Sequence, residues 1–155
     1  MQTQNPDTLS RLLSHWRSAG VKLRPPASLQ EIEAFERRAG VRLPNDMRDY
    51  LLLADGMEEF DMDADLFSFW QLSRIVPISV LLPEPHYEAY RNVPDAHHCF
   101  CFADWSINAD VYSIHLLSDA SKPIRFSGLG PRYLPFTSFT EFVEAYFKDA
   151  NGSLI

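Results

Sequence analysis

Leu9, Leu12, Leu13 and Trp16 recur at three- and four-residue spacing, which places them on one face of a helix. The pattern predicts a first helix from about Asp7 to Ala19, with Gly20 at the position of a C-terminal cap. A second helix is marked more sharply. Ser28 and Glu31 form a capping-box pair, Leu29, Ile32, Phe35 and the stem of Glu36 make its inner side, and Gly40 stops it. Val41 and Leu43 lead to Pro44, a residue suited to a first helical turn. Met47, Tyr50 and Leu51 then predict a third helix from Asn45 to about Ala54, closed by a turn at Asp55-Gly56.

Beyond Gly56 the helical period is lost. Leu66 to Trp70, Cys99 to Ala103, Val111 to Leu116 and Pro123 to Ser127 read as strands, the second and third joined by the connection from Asp104 to Asp110. Leu72 to Ile78 fits a helical turn ended by Pro77. Pro83 and Pro85 mark a loop, and His86 to Arg91 fits a short helix. Ser138 and Glu141 form a second capping-box pair. It opens a last helix carrying Phe139, Phe142, Val143 and Tyr146 and ending near Asn151-Gly152. Helices, then antiparallel-compatible strands, then a helix predict an α+β fold: a central, mostly antiparallel sheet flanked by N-terminal helices and a C-terminal helix.

With 155 residues, 46% of them hydrophobic, the chain suits one domain with a packed interior. Trp16 and Trp70 are assigned to that interior. Leu9 to Trp16, the longest apolar stretch near the start, is broken by Ser10, Arg11, Ser14 and His15, and no segment is suited to spanning a bilayer. Met1 to Pro6 carries no basic or apolar signal pattern, so a cytoplasmic location is expected. Cys99 and Cys101 stand too close along a strand to indicate a disulfide framework.

Charge changes the picture more than composition does. The formal net charge is -7 and it is unevenly placed. Residues 55–119 hold two Lys/Arg against twelve Asp/Glu, whereas residues 1–54 hold eight against six. Between Arg48 and Arg74 there is no cation, yet Asp49, Asp55, Glu58, Glu59, Asp61, Asp63 and Asp65 all occur. Such a segment repels phosphate backbones and attracts a basic protein. A solvated loop kept soluble by its charge is the plainer alternative.

Asp61-x-Asp63-x-Asp65 invites comparison with a calcium loop, but Leu66 and Leu72 stand where that loop needs Gly and Glu. His97, His98, Cys99 and Cys101 offer zinc-type donors without a second cysteine pair, and the two cysteines are read as small core residues. No nucleophile elbow, phosphate-binding loop, zinc-protease helix or deaminase pattern occurs. Gly128-x-Gly130 before Pro131 reads as a turn. No catalytic residue, metal site or cofactor is therefore assigned. Trp105, Ile107 and Asn108 lie between two strands, where large apolar groups either cover the core or anchor a partner.

Several of these motifs together resemble the SUKH superfamily, whose name-giving eukaryotic members regulate fungal cell-wall synthesis. Pro26 to Pro44, with Ser28-Leu29-Gln30-Glu31 opening a helix and Gly40-Val41-Arg42-Leu43-Pro44 leading to the next, looks like its leading signature. Asp46 to Leu51 with Asp55-Gly56, Phe102-Ala103-Asp104-Trp105, and Ser138 to Val143 look like its continuation, central hairpin and closing helix. Ala54-Asp55-Gly56-Met57 departs from the usual Asn-Gly-Gly type of turn, and Ala103 stands where Gly is common. The resemblance implies a single domain, with residues 26–147 as a family-like core and 1–24 as a helical extension. It also implies protein binding without catalysis, since many bacterial members are immunity proteins that neutralise a cognate toxin, often a nuclease or deaminase. The expected partner is a basic toxin domain, with no direct nucleic acid and no membrane. The candidate contact residues are Glu58, Glu59, Asp61, Asp63, Asp65, Asp104, Trp105, Asn108 and Asp110. A regulatory or scaffold domain without a toxin, and a small metal-dependent hydrolase, are the alternatives.

Overall fold

Ser28 opens the second helix as its sequence predicts. In the computed structural model, which describes residues 6–81, 96–117, 120–127 and 130–153, its hydroxyl accepts the Glu31 amide at 3.0 Å. The Glu31 carboxylate returns the contact to the Ser28 amide at 2.8 Å. This helix, α2 (Leu29–Ala39), ends at Gly40 with φ 72, the left-handed cap that only glycine adopts without strain. Ile32 and Phe35 are buried, but Leu29 is 48% exposed, because the first residue of the helix turns outward rather than joining the inner face. Glu36 does more than lend its stem. Its carboxylate accepts the Leu43 amide at 2.8 Å and pairs with Arg48 at 3.2 Å, fixing the link into α3 (Asn45–Leu53).

The first helix, α1 (Pro6–Ser18), buries Leu9, Leu12, Leu13 and Trp16 as its spacing predicts. The last, α5 (Phe139–Ser153), starts with a variation on the expected capping box. Ser138 Oγ accepts the Glu141 amide at 3.1 Å, but the Glu141 carboxylate takes the amide and hydroxyl of Thr137 instead of the Ser138 amide. Asp46, at the start of α3, accepts the Thr140 amide at 2.8 Å and hydroxyl at 2.7 Å. One carboxylate thus serves the N-terminal ends of two helices, where backbone amides and the helix dipole both favour a negative group.

The strands β1 (Phe67–Phe69), β3 (Cys99–Trp105), β4 (Asp110–Leu117), β5 (Ala120–Ser127) and β6 (Gly130–Tyr133) lie in that order except that β1 borders β3 directly. The two-residue β2 (Val76–Pro77) also pairs with β3, and every pairing is antiparallel. This is the α+β arrangement the sequence predicts. The ambiguous stretch Leu72 to Ile78 resolves into a 3-10 turn (Leu72–Arg74) and β2, followed by the short α4 (Ile78–Leu81). Another 3-10 turn (Ala96–His98) precedes β3. β6 begins at Gly130, where the sequence reads a turn; as the last strand in the sheet it tolerates Pro131, a residue without an amide hydrogen. The expected loop at Pro83 and Pro85 and helix at His86 to Arg91 lie outside the described residues, as do residues 128 and 129 of the expected glycine turn.

Aromatic rings fill the space between sheet and helices. Trp16 meets Phe69 at 4.9 Å, Tyr146 meets Phe67 at 5.4 Å, and Phe142 meets Phe102 at 5.2 Å and Tyr112 at 5.5 Å. The register shifts between Cys101 and Ala103, a bulge that reverses the alternation of side chains along β3. Phe100 and Phe102 reach helix rings, but after the bulge Ala103 is the residue paired with Tyr112 and Phe69. Asp104 is thereby turned to the opposite face, away from the aromatic layer.

Gly56 has φ 69, and a Cβ there would lie 2.5 Å from the Trp70 carbonyl oxygen. The departure from the Asn-Gly-Gly turn has kept the one glycine this crossing needs. Gly56→Ala is expected to destabilise the fold by about 2 kcal/mol or more, measured by chemical denaturation. Beside it, the half-buried Asp55 accepts the Leu72 amide at 2.6 Å and lies 3.6 Å from Arg24. Burial raises its pKa, and the Leu72 amide and Arg24 oppose that shift without cancelling it. The native state therefore binds this proton more tightly than the unfolded chain does. The resulting stability is full below the ordinary carboxylate pKa and is lost as pH rises through the raised value. Asp55→Asn is expected to flatten the decline of stability just above the ordinary carboxylate range, checked by denaturation at pH values from about 4 to 7.

Candidate functional site: a notch between an acidic loop and a strained turn

The acidic run forms the loop between α3 and β1, and it is folded around one of its own carboxylates. Asp63 Oδ1 accepts the amides of Asp65 at 2.8 Å and Phe67 at 3.0 Å, and Oδ2 accepts the hydroxyl of Tyr146. Asp61 accepts the amides of Lys22 at 2.6 Å and Met62 at 3.0 Å. The loop is tied to the β3–β4 turn by the Ser106 amide on the Leu66 carbonyl at 2.9 Å and by Trp105 Nε1 on the Asp65 carbonyl at 3.0 Å.

Between loop and turn lies a notch of about 330 Å³, lined by Glu59, Phe60, Asp61 and Met62 on one side, Ile107 and Asn108 on the other, and Ser68, Arg74 and Asp104 beneath. Asp104 accepts Trp70 Nε1 at 2.6 Å and the Asn108 amide at 3.2 Å. The Arg74 guanidinium stacks on the Trp70 ring at 3.9 Å and reaches Asp104 at 3.8 Å, so this cation is already engaged.

Among the described residues, the non-glycine positions with positive φ are Phe60, Leu66, Ser106, Ile107 and Asn108, all in these two segments. For a β-branched residue such as Ile107, at φ 53, the left-handed region costs about 1–2 kcal/mol. The strain presents apolar side chains to solvent: Phe60 is 90% exposed, Ile107 76% and Leu66 43%. Strained, exposed apolar residues thus flank the notch on both sides, Phe60 on the loop and Ile107 on the turn.

The candidate contact residues divide in two. Glu58, Glu59, Asp61 and Asp65 reach the surface or its edge, and Trp105 and Asn108 are half-buried. Trp105 packs against the core, so it covers the interior as one of its two readings required. Asp63, Asp104 and Asp110 correct the expectation of a continuous acidic face. All three are buried, and the first two are occupied by internal hydrogen bonds that a docking partner does not reach. The assignment by charge alone missed Phe60. Its signal was an aromatic residue set between Glu58-Glu59 and Asp61, where neighbouring charges keep the chain at the surface. Ile107 was noticed as a loop residue but not placed among the contacts.

Cys99 and Cys101 are buried, and neither is in a disulfide. Burial, with Cys99 adding to it, pushes the Cys101 thiol well up from its ordinary pKa, so it stays protonated and inert. Among the described residues no three His, Cys, Asp or Glu side chains are gathered to hold a metal, and no helix is long and apolar enough to cross a membrane.

The described residues form an α+β fold that carries a notch between the acidic loop and the β3–β4 turn. The sequence model of the SMI1 / KNR4 family (SUKH-1) matches residues 26–145, and the chain belongs to that family. It is also 53% identical over 36 residues to "Uncharacterized protein YnaB" of Bacillus subtilis (strain 168), a stretch that covers 23% of this chain and 25% of that protein. Loop and turn both fall inside the family match, whereas α1 lies outside it.

Ile107→Asn places a residue that tolerates the left-handed region at the same position. It is expected to stabilise the isolated protein by about 1 kcal/mol, read from denaturation midpoints, because nothing in the fold needs the exposed isoleucine.

Proposed function

We propose that this protein is a non-catalytic, cytoplasmic binding module of the toxin-immunity kind, a single domain whose docking surface is the notch and its rim. The observation that carries this reading is the strained presentation of Phe60 and Ile107 on either side of the notch. Backbone strain at two exposed apolar residues brings no stability to the free protein, so selection for contact with another molecule is its natural source. Membership of the SUKH family supports a toxin-immunity or regulatory protein-binding role.

The surface acids set the chemistry of the partner. Glu59 and Asp61 line the notch with the apolar pair, Glu58 and Asp65 belong to the same loop, and Arg74 is already stacked on Trp70. A basic protein domain is drawn to such a rim, while a nucleic acid backbone is repelled by it. Neutralisation then proceeds by occlusion: the rim steers association, Phe60 and Ile107 supply the buried contact, and the partner's own cleft is covered.

Deletion of the gene in its native host is expected to impair growth while its neighbouring genes are intact, and not once they are removed. The wild-type gene restores growth; Phe60→Asp and Ile107→Asp do not, although both variants accumulate normally. A deletion harmless in both backgrounds overturns the immunity reading and favours a regulatory role. With a partner in hand, replacing Glu58, Glu59 and Asp65 by their amides is expected to slow association about tenfold at low salt. Stopped-flow measurement should show that difference shrinking as salt screens it.

A further inference from the structure

Trp16 Nε1 donates to the Tyr146 hydroxyl at 2.7 Å, and that hydroxyl donates to Asp63. All three residues are buried, on α1, α5 and the acidic loop respectively. We propose that Trp16 and Tyr146 are positioning residues for the docking surface, forming a buried hydrogen-bond chain that holds the loop in the conformation that presents Phe60. This rests on the docking reading above. It also makes α1, which lies outside the family match, part of the binding machinery.

Left-handed residues without glycine persist only where their surroundings over-determine them. Asp63 is the group that does so for Leu66, while beside Phe60 the Asp61 carboxylate holds the amides of Lys22 and Met62. The Asp63 carboxylate closes the turn through the amides of Asp65 and Phe67, and its carbonyl accepts the Leu66 amide at 3.0 Å. Leu66, at φ 76, lies within that turn, and Phe60, at φ 68, stands three residues before Asp63. A carboxylate so placed needs donors on both oxygens, and the Tyr146 hydroxyl supplies the one that comes from the helix layer. Trp16 gives that hydroxyl an acceptor role as well, which orients its proton toward Asp63. The Trp16 ring is itself set by Phe69 at 4.9 Å, and α1 is held on α5 by Arg11 and Glu144 at 3.0 Å.

The test is amide hydrogen exchange, read by NMR on the whole protein without a partner. Tyr146→Phe keeps the ring and removes the hydroxyl. It is expected to speed exchange at Asp65 and Phe67 about tenfold or more relative to the amides paired between β3 and β4. Trp16→Phe is expected to act in the same direction by a smaller factor, and it carries the comparison if Tyr146→Phe does not fold. Val143→Ala truncates a buried α5 residue outside the chain and is expected to move loop and strand amides alike. An unchanged ratio in Tyr146→Phe, or an equal change in Val143→Ala, overturns the proposal. In the growth assay, Tyr146→Phe is expected to protect less than Val143→Ala at equal abundance. If the exchange ratio stays flat while Phe60→Asp abolishes protection, the positioning role falls and the docking reading stands. If the loop loosens while Phe60→Asp is harmless, the docking reading falls and the role assigned to the chain falls with it.

Discussion

A carboxylate taken out of water has to be surrounded by donors, and Asp63 meets that requirement by drawing on distant parts of the chain. Two donors come from its own turn and one from the last helix, which in turn holds the first. The burial of one charge therefore joins loop, sheet edge and helix layer. Had the same residue pointed outward, the loop would have remained an acidic tether with no preferred shape.

Asp104 repeats the principle on the other face of the sheet. The bulge after Cys101 turns it away from the aromatic rings, and Trp70, Asn108 and Arg74 then gather around it. Asp46 does the same between α3 and α5. In each case a buried acid gathers backbone amides and side-chain donors around it. Glu58, Glu59, Asp61 and Asp65 stay at the surface or its edge, and Glu59 and Asp61 line the notch with Phe60 and Ile107. Acidity that looks uniform in the sequence is thus divided between the interior and the surface.

Strain is distributed with equal economy. The aromatic layer and the paired strands keep allowed backbone angles, while the left-handed residues fall in the loop and the β3–β4 turn. A rigid sheet supplies the support that lets a short turn hold an isoleucine in an unfavourable conformation. The packed layers and the strained segments are thus separate parts of the same fold.

Helices α1 to α3, the start of α5 and the runs that become β3 and β4 were legible because each depends on residues a few positions apart: caps, helical spacing and short runs of strand-forming residues. The edge strand β6 was hidden because Gly130 and Pro131 read locally as part of a turn, and which segment pairs at a sheet margin is a property of the whole sheet. The acidic run was visible as charge, but not its division. Asp63 and Asp65 differ little in sequence context, yet only Asp63 meets the hydroxyl of Tyr146, 83 residues along the chain. Local order along the chain set the elements and the sign of the surface. Only the packing of distant segments decided which acids went inside, because the donors that make such burial possible are brought together by the fold alone.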